Sequence, residues 1–340
     1  GCFDNRGILL SSSSTPTNLI LTYQKGGLYD YNGQTYDDYF GFLGDNATAF
    51  NFYSAFKLQL GVGRLPVSTT AEADAAVSKI AYYMRNEQLG SWKNRYALVA
   101  DDNELQSNYH MFIGYAENRA NQVRKLDLSV VTKKIYYDAY TKVSQSTGNR
   151  YPEVEDLIQK QFDDGCMLIN YIGHSSYTAW STEKTFKQNQ AVSLTNKRMG
   201  VLFSASCEFS RFDSYIPSVG ESLILNGNGG SVAVVATPRL VYASDNDDYN
   251  SAFLASFYSQ SEDQTIGDVM RCSKNSYNSE SRLTFTLLGD PALHLYIPTL
   301  QVQTDSLAII RKGSEMQNDT VNALTHVRVF GHISNQSQLA

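Results

Sequence analysis

The middle of the chain alternates between short apolar runs and segments whose apolar residues recur at helical spacing. Apolar runs predict strands at 96–100, 166–172, 200–204 and 231–236, and the run 166–172 is typical of a strand buried on both faces; a further strand is predicted at 130–137. The amphipathic segments predict helices over 71–89, 107–126, 152–165 and 221–225. Strands that alternate with helices in this way predict an α/β fold, with a mostly parallel sheet and helices on both faces.

Both ends of the chain have a different texture. The first 65 or so residues predict loops around short strands, because Ser11-Ser12-Ser13-Ser14-Thr15-Pro16-Thr17 cannot be the interior of a regular element. Beyond Pro298, apolar and polar residues alternate at 300–303 and 327–330. This alternation predicts that 299–340 is the beginning of an all-β domain.

Composition removes several classes of function. The net charge is −6, with 28 Lys+Arg against 34 Asp+Glu and no basic block, so no nucleic-acid partner is expected. No run of about 18 apolar residues could span a membrane, and any signal peptide of the parent protein lies outside this segment. The cysteines form no CxxC pair and the histidines no HExxH motif, so we expect neither a catalytic metal nor a cofactor. The acidic stretch with Asp245, Asp247 and Asp248 is interpreted as a solvated turn, with a calcium loop as the alternative.

Two residues of catalytic type follow two of the predicted strands. His174 comes one glycine after the strand that ends at Ile172, and Cys207 comes shortly after the strand 200–204. Functional groups collect beyond the carboxyl ends of parallel strands, so these side chains could meet if the strands are neighbours. Each residue alone has an ordinary structural interpretation, as a small core cysteine and a structural histidine.

Together, this thiol and imidazole predict cysteine peptidase chemistry. The thiol is a strong nucleophile, and the histidine can take its proton and deliver one to the leaving amine. The backbone N–H groups of Ser175 and Cys207 are the expected oxyanion donors. Asp138 is the first candidate for a third catalytic residue and Asp102 the alternative, because both follow predicted strands at the same sheet edge; a dyad without a third member stays open as well.

Three further side chains near these motifs have open roles. Trp180 is a candidate for the wall of a substrate pocket, with an aromatic core position as the alternative. Glu183 is a candidate for orienting His174 or binding substrate, although an exposed loop acid is the preferred interpretation. Glu208, beside the nucleophile, is expected to face solvent.

The two motifs resemble those of a known group. They read Tyr171-Ile172-Gly173-His174-Ser175-Ser176 and Leu202-Phe203-Ser204-Ala205-Ser206-Cys207. They are similar to the strand ends Gly-His-Gly-Ser and Ser-Ala-Ser-Cys of the gingipain-type cysteine peptidases, relatives of caspases and legumain. Further segments resemble one branch of that group, the type IX secretion system sortases (PorU-like peptidases), at 61–67, 98–102, 209–213, 220–223, 239–243 and 288–293.

The resemblance implies a fold and a domain order. The fold would be a caspase/gingipain-like three-layer sandwich, with 93–298 as the caspase-like catalytic subdomain and 299–340 as the start of an Ig-like domain. Residues 1–92 would be the N-terminal part of the peptidase domain. The segment would start inside that domain, because Gly1-Cys2-Phe3-Asp4 resembles residues just after its first conserved strand.

The resemblance also implies a function. The parent protein would be a cell-surface enzyme associated with the bacterial outer membrane, which removes the C-terminal targeting domain from exported cargo. The acyl group would pass to water or to an amine of an anionic lipopolysaccharide, and an outer-membrane translocon component would be a partner. Two alternatives stay open: a secreted digestive protease, and a non-catalytic scaffold of the same fold.

One residue departs from the pattern of this group. Ser175 stands where the group usually has glycine. A serine is tolerated there if its φ is negative, whereas a positive φ would distort the oxyanion hole and weaken the enzyme.

Overall fold

The computed structural model describes residues 22–25, 33–43, 57–102, 110–214, 216–259, 264–298, 308–311, 324 and 327–330. The segment Gly1-Cys2-Phe3-Asp4 and the predicted loop at 11–17 lie outside the described residues. The chain divides into two compact units, Gly1–Ile297 and Pro298–Ala340.

The helices and strands of the first unit follow the alternation predicted from the sequence. In chain order they are β1 (Tyr23–Lys25), β2 (Gln34–Tyr36), α1 (Thr70–Met84), β3 (Arg95–Ala100), α2 (Met111–Leu126), β4 (Val131–Tyr136), β5 (Val143–Gln145), β6 (Gly148–Arg150), α3 (Pro152–Asp164), β7 (Leu168–Ile172), β8 (Ala179–Trp180), β9 (Phe186–Lys187), α4 (Gln188–Ser193), β10 (Val201–Ala205), α5 (Val219–Leu225), β11 (Ala233–Ala236), α6 (Ala243–Phe257), α7 (Ile266–Ser276) and β12 (Thr286–Leu288). In the second unit, β13 (Ala308–Arg311) pairs antiparallel with β14 (Val327–Phe330). Its Ig-like character stays a prediction.

A six-stranded sheet forms the centre of the first unit, with the spatial order β12-β11-β10-β7-β3-β4. Neighbouring strands are parallel, except that β12 runs antiparallel to β11. The predicted α/β fold with a mostly parallel sheet is therefore confirmed. Strand β12 has three residues, which is too short for hydrophobic periodicity to predict it from the sequence.

Side chains of the sheet alternate between two apolar layers. In β3, Tyr96 and Leu98 pack into one cluster with residues of α2, α6 and α7. Ala97 and Val99 pack into the other cluster, with residues of α3, α4 and α5. Helices thus cover both faces of the sheet, which makes the three-layer sandwich that the sequence predicts.

Local signals explain where several helices begin and end. The Thr69 hydroxyl accepts from the Glu72 N–H and the Glu72 carboxylate accepts from the Thr69 N–H, so a capping box starts α1. Pro152 occupies the first turn of α3, and Gly165, at φ +81°, follows its last residue. Helix α1 ends at Met84, short of the predicted end at residue 89.

The acidic stretch interpreted as a solvated turn is helical instead. Asp245, Asp247 and Asp248 lie in α6, and Asp247 Oδ1 lies 3.4 Å from Arg119 Nε of α2. From Tyr249 to Phe257 helix α6 buries a face of apolar residues, and this tertiary packing outweighs the acidic composition of its first turns. No helix within the described ranges is long and apolar enough to span a bilayer.

Candidate active site

The two predicted catalytic residues leave the same edge of the sheet. Strands β7 and β10 are parallel neighbours, and their last residues, Ile172 and Ala205, are register partners. His174 is the second residue after β7 and Cys207 the second after β10. Matched register at the carboxyl ends of two adjacent parallel strands brings the imidazole and the thiol to one place.

The backbone of His174 is fixed from both sides. Its N–H donates to Asp101 Oδ2 over 2.9 Å, and its carbonyl accepts from the Tyr171 hydroxyl at 2.6 Å and from the Ser181 N–H at 2.8 Å. Gly173 permits this approach, since a Cβ built there would lie 2.3 Å from the Cβ of Asp101. The turn that carries the histidine therefore has one well-defined conformation.

The half-buried imidazole ring packs edge-on against Phe112, with 5.2 Å between ring centroids. Burial lowers the pKa of His174 below its usual 6.5, and the negative charges of Asp102 and Glu183 oppose this shift. The neutral ring is thus favoured near pH 7, and a neutral imidazole is the form that can accept a proton.

The Cys207 thiol is also half-buried, and it donates weakly to the Val241 carbonyl at 3.5 Å. Burial raises the pKa of the Cys207 thiol, and the carboxylate of Glu208 adds to the shift. Among the described residues, no hydrogen bond joins the thiol to the His174 ring. The two groups are therefore separate in the resting protein and free to act across a substrate.

A sharp turn follows Cys207. Glu208 adopts φ +57°, a left-handed conformation that is uncommon for residues other than glycine. Its carboxylate is directed to the surface, where it accepts from Arg211 at 2.8 Å, and its N–H donates to the Arg239 carbonyl. The turn places Cys207 just beyond the end of β10.

The two expected oxyanion donors are unoccupied. None of the hydrogen bonds of the described residues is donated by the backbone N–H of Ser175 or of Cys207. Ser175 pairs with Trp180 through bonds of its flanking residues, so its own N–H faces away from that strand pair. Ser175 is not one of the described residues with positive φ, so a serine fits this position without strain.

A comparison with protein families places these motifs in a known group. The profile of peptidase family C25 matches residues 3–296.

The chain belongs to peptidase family C25.

This C25 member thus belongs to a family of cysteine peptidases, and solved structures share its gingipain/caspase-like α/β fold. It is similar to the Arg-specific cysteine proteinase gingipain R (RgpB), with a TM-score of 0.60 and 20% identity, covering 80% of this chain and 62% of that chain. The complex of Porphyromonas gingivalis RgpB pro- and mature domains gives a TM-score of 0.61 and 19% identity, covering 79% of this chain and 63% of that chain. The chain thus spans less than two thirds of the length of these relatives. A comparison with curated proteins found no match.

The predicted third catalytic residue of this C25 peptidase lies elsewhere on the edge. Asp138 Oδ2 lies 3.0 Å from Nδ1 of the exposed His110, and no hydrogen bond or ion pair in the described part of the chain joins Asp138 to His174. The alternative, Asp102, acts electrostatically on His174. The reason is strand order, because β3 borders β7 directly whereas β4 is one strand further away.

Glu183 is buried, so the preferred interpretation as an exposed loop acid is wrong. The residue is 2% exposed, and its Oε1 lies 3.4 Å from Lys142 Nζ. Positive φ at Ser181 and Lys184 turns the loop back on itself and directs the acid inward. No hydrogen bond in the described part of the chain joins Glu183 to His174, so its effect on the histidine is electrostatic: its negative charge opposes the lowering of the His174 pKa by burial.

Trp180 occupies the core position that the sequence left as the alternative to a pocket wall. It is fully buried, with its ring centroid 4.3 Å from that of Tyr171 and 5.4 Å from that of Phe209. Its Nε1 donates to Ser204 Oγ over 3.0 Å. A ring enclosed on both faces is part of the core, and it packs against residues of β7 and of the segment after Cys207.

A cluster of three acids lies behind His174, and the sequence indicated only two of them, Asp102 and Glu183, as candidates for a role near the histidine. Oxygens of Asp101, Asp102 and Glu183 lie within 4.8 Å of one another, and Lys142 Nζ lies 2.5 Å from Asp102 Oδ2. Tyr151 adds a hydroxyl hydrogen bond to Asp102 at 2.7 Å. These oxygens have the chemistry of cation ligands, but the Lys142 ammonium already neutralises part of their charge. Lys142 and Tyr151 had no signal in the sequence, since both belong to the β5–β6 region, which shows no clear periodicity.

Proposed function

We propose that this C25 peptidase cleaves the C-terminal targeting domain from cargo of the type IX secretion system, through a Cys207–His174 dyad and an acyl-enzyme. The observation that carries the proposal is the shared register of the two residues, each second after the end of adjacent parallel strands. The specificity for secretion cargo rests on the sequence resemblance to the PorU-like branch.

The geometry supports a stepwise mechanism. His174 takes the proton of Cys207 as the sulfur attacks the scissile carbonyl carbon, and the carbonyl oxygen becomes negatively charged. The free N–H groups of Ser175 and Cys207 donate to that oxygen. His174 then gives its proton to the departing amine, which leaves a thioester on Cys207.

The acidic cluster supports this mechanism electrostatically. Proton transfer makes His174 an imidazolium inside a half-buried site, where an unpaired charge is costly. The charges of Asp102 and Glu183 stabilise the imidazolium. A third group that orients or stabilises the histidine without being protonated has the same role in other peptidases.

Three of the segments that resemble the PorU-like branch, 209–213, 220–223 and 239–243, pack together next to the Cys207 turn. Segments 209–213 and 239–243 are joined by a buried ion pair, in which Asp213 Oδ1 accepts from Arg239 at 2.6 Å. The Gly220 N–H donates to the Phe209 carbonyl at 3.0 Å, which ties the segment 220–223 to the same turn. The resemblance therefore concerns residues that build the catalytic turn, which favours retained chemistry over a scaffold.

The acyl-enzyme has two possible fates in this proposal. Water would release the shortened cargo, and an amine of an anionic lipopolysaccharide would attach the cargo to the cell surface. Both acceptors attack the same thioester carbonyl and regenerate the thiol. The proposed location is the outer face of the outer membrane, next to a translocon component.

The test uses the full-length protein and a cargo protein that carries its C-terminal targeting domain. We expect release of that domain by the wild type but not by Cys207→Ala, and much slower cleavage of casein. Added hydroxylamine should appear on the new C-terminus of the cargo, as detected by mass spectrometry. Rapid cleavage of casein with no preference for the cargo would replace the proposal with a digestive protease. A wild type that cleaves neither the cargo nor casein would indicate a non-catalytic scaffold.

A further inference from the structure

The pairing of the two catalytic strands stops just before the catalytic residues. The last backbone hydrogen bond between them runs from the Gly173 N–H to the Ala205 carbonyl over 3.4 Å. Beyond it, no backbone hydrogen bond in the described chain joins the two segments. This separation leaves the oxyanion donors free, but it also removes the contacts that would fix one turn against the other.

A single side chain bridges the gap. The Ser175 hydroxyl donates to the carbonyl oxygen of Cys207, and its Oγ lies 2.7 Å from Ser206 Oγ. No other donor in the described residues reaches the Cys207 carbonyl. The residue after the catalytic histidine thus holds the nucleophile turn directly.

This bridge is connected to the rigid core by a line of buried polar groups. Ser206 Oγ lies 2.7 Å from Ser204 Oγ, which accepts from Trp180 Nε1 at 3.0 Å. Ser204, Ser206 and Trp180 are all fully buried. A satisfied, buried hydrogen-bond network is stiff, so it can define the position of the group at its end.

The peptide unit after the nucleophile is therefore held at both ends. Its carbonyl, on Cys207, accepts from Ser175, and its N–H, on Glu208, donates to Arg239 O at 3.2 Å. This unit precedes the left-handed Glu208, a conformation that persists only where the surroundings enforce it.

We propose that the Ser175 hydroxyl is a positioning group, which aligns the backbone donors of Ser175 and Cys207 on the reacting carbonyl oxygen. A glycine at this position, which the sequence resemblance leads one to expect, could not make the bridge. The inference rests on the proposed peptidase function and assigns to the Ser175 side chain a role distinct from that of its backbone.

Two reagents distinguish an effect of Ser175 on the oxyanion donors from an effect on the reactivity of the Cys207 thiol. A peptide aldehyde adds to Cys207: the sulfur–carbon bond forms, the carbonyl π bond opens, and the thiol proton ends on the new oxygen. That oxygen lies where the oxyanion donors converge. Iodoacetamide alkylates the same sulfur with loss of iodide and forms no oxyanion. Aldehyde affinity is measured as protection of Cys207 against iodoacetamide, with the best aldehyde of a panel that varies the residue next to the carbonyl.

Ser175→Ala should weaken aldehyde binding by about 10- to 100-fold, less than the loss of a complete oxyanion donor, while the alkylation rate changes by less than about threefold. Ser175→Thr keeps the hydroxyl and should restore most of the affinity. Ser176→Ala is the matched control, because among the described residues the neighbouring Ser176 hydroxyl hydrogen-bonds to Thr178 and not to the nucleophile turn.

Equal aldehyde affinity in wild type and Ser175→Ala would overturn the positioning role. So would parallel losses of aldehyde affinity and alkylation rate that Ser175→Thr fails to restore, because they would indicate a merely structural role. A wild type that binds no aldehyde, and whose alkylation does not depend on His174, would refute the proposed function and the inference together.

Discussion

The backbone N–H of His174 donates to Asp101 Oδ2 over 2.9 Å, so a carboxyl group at the end of β3 fixes the residue at the end of β7. The other carboxyl oxygen of Asp101 accepts from the N–H of Asp102 at 3.0 Å. Asp101, which holds the His174 backbone, thus also fixes the backbone of Asp102, whose charge acts on the His174 ring. This relationship makes the adjacent acids of β3 part of one support for the catalytic turn.

Asp101→Asn tests this support through the pH dependence of stability. Burial raises the pKa of Asp101 to about 8, whereas the carboxyl titrates near 4 in an unfolded chain. Between these pH values the unfolded chain loses a proton that the folded protein keeps, so the free energy of unfolding falls as pH rises from about 4 to about 8. The variant lacks this titration but retains an acceptor for the His174 N–H. Its free energy of unfolding in urea should therefore fall less between pH 5 and pH 8 than that of the wild type, and an equal fall would contradict the account.

Asp102→Asn should move the acid limb of the activity profile to lower pH. Catalysis needs a neutral imidazole, so activity is lost as pH falls through the pKa of His174, which burial places below 6.5. Removal of the Asp102 charge lowers that pKa further, because less negative potential stabilises the imidazolium. The measurement is kcat/KM against pH, with Asp138→Asn as the matched control that leaves the limb in place. A shift with Asp138→Asn alone would restore Asp138 as the third catalytic residue.

Lys142→Met should shift the acid limb of the activity profile in the direction opposite to the shift expected for Asp102→Asn. Lys142 Nζ lies 2.5 Å from Asp102 Oδ2 and 3.4 Å from Glu183 Oε1, so its loss removes the cation that pairs with both acids. The acid limb should move to higher pH, and stability should fall by about 3 kcal/mol, as is typical when one partner of a buried ion pair is removed. Both effects are read from the same preparations, by pH profiles and by urea unfolding. An unchanged acid limb would show that the cluster does not act on His174.

Trp180→Phe tests whether Trp180 is a core residue or part of the wall of a substrate pocket. The substitution removes the hydrogen bond to Ser204 and part of the stacking on Tyr171 and Phe209. It should lower the free energy of unfolding by about 1–3 kcal/mol while KM for a peptide substrate stays within about twofold. A large rise in KM at unchanged stability would place the ring in the substrate pocket after all.

The sequence predicted those parts of the site that depend on strands buried on both faces. The apolar runs that became β7 and β10 are unambiguous, and each ends in the residue pattern that supplies the imidazole or the thiol. Their adjacency could only be inferred, since hydrophobic pattern does not encode strand order. For the same reason the sequence could not show that Asp138 lies away from His174: Asp138 follows β4, and β4 does not border β7.

The remaining differences arise where tertiary packing overrides local composition. Glu183 and Trp180 belong to the short β8–β9 hairpin, whose two-residue strands have no readable period. Helix α6 begins with an acidic stretch typical of a turn, yet its later residues bury an aromatic face against the sheet. Burial of such residues depends on partners distant in the chain.

The most direct measurement of the central claim is labelling of Cys207 by a peptidyl acyloxymethyl ketone, followed by mass spectrometry of the modified peptide. The wild type should be labelled on Cys207. His174→Ala, confirmed as folded by circular dichroism, should be labelled at least about 100-fold more slowly, within the range typical of general acid–base assistance. Equal labelling rates for wild type and His174→Ala would contradict the account, because the thiol would then react without the imidazole that the sheet brings beside it.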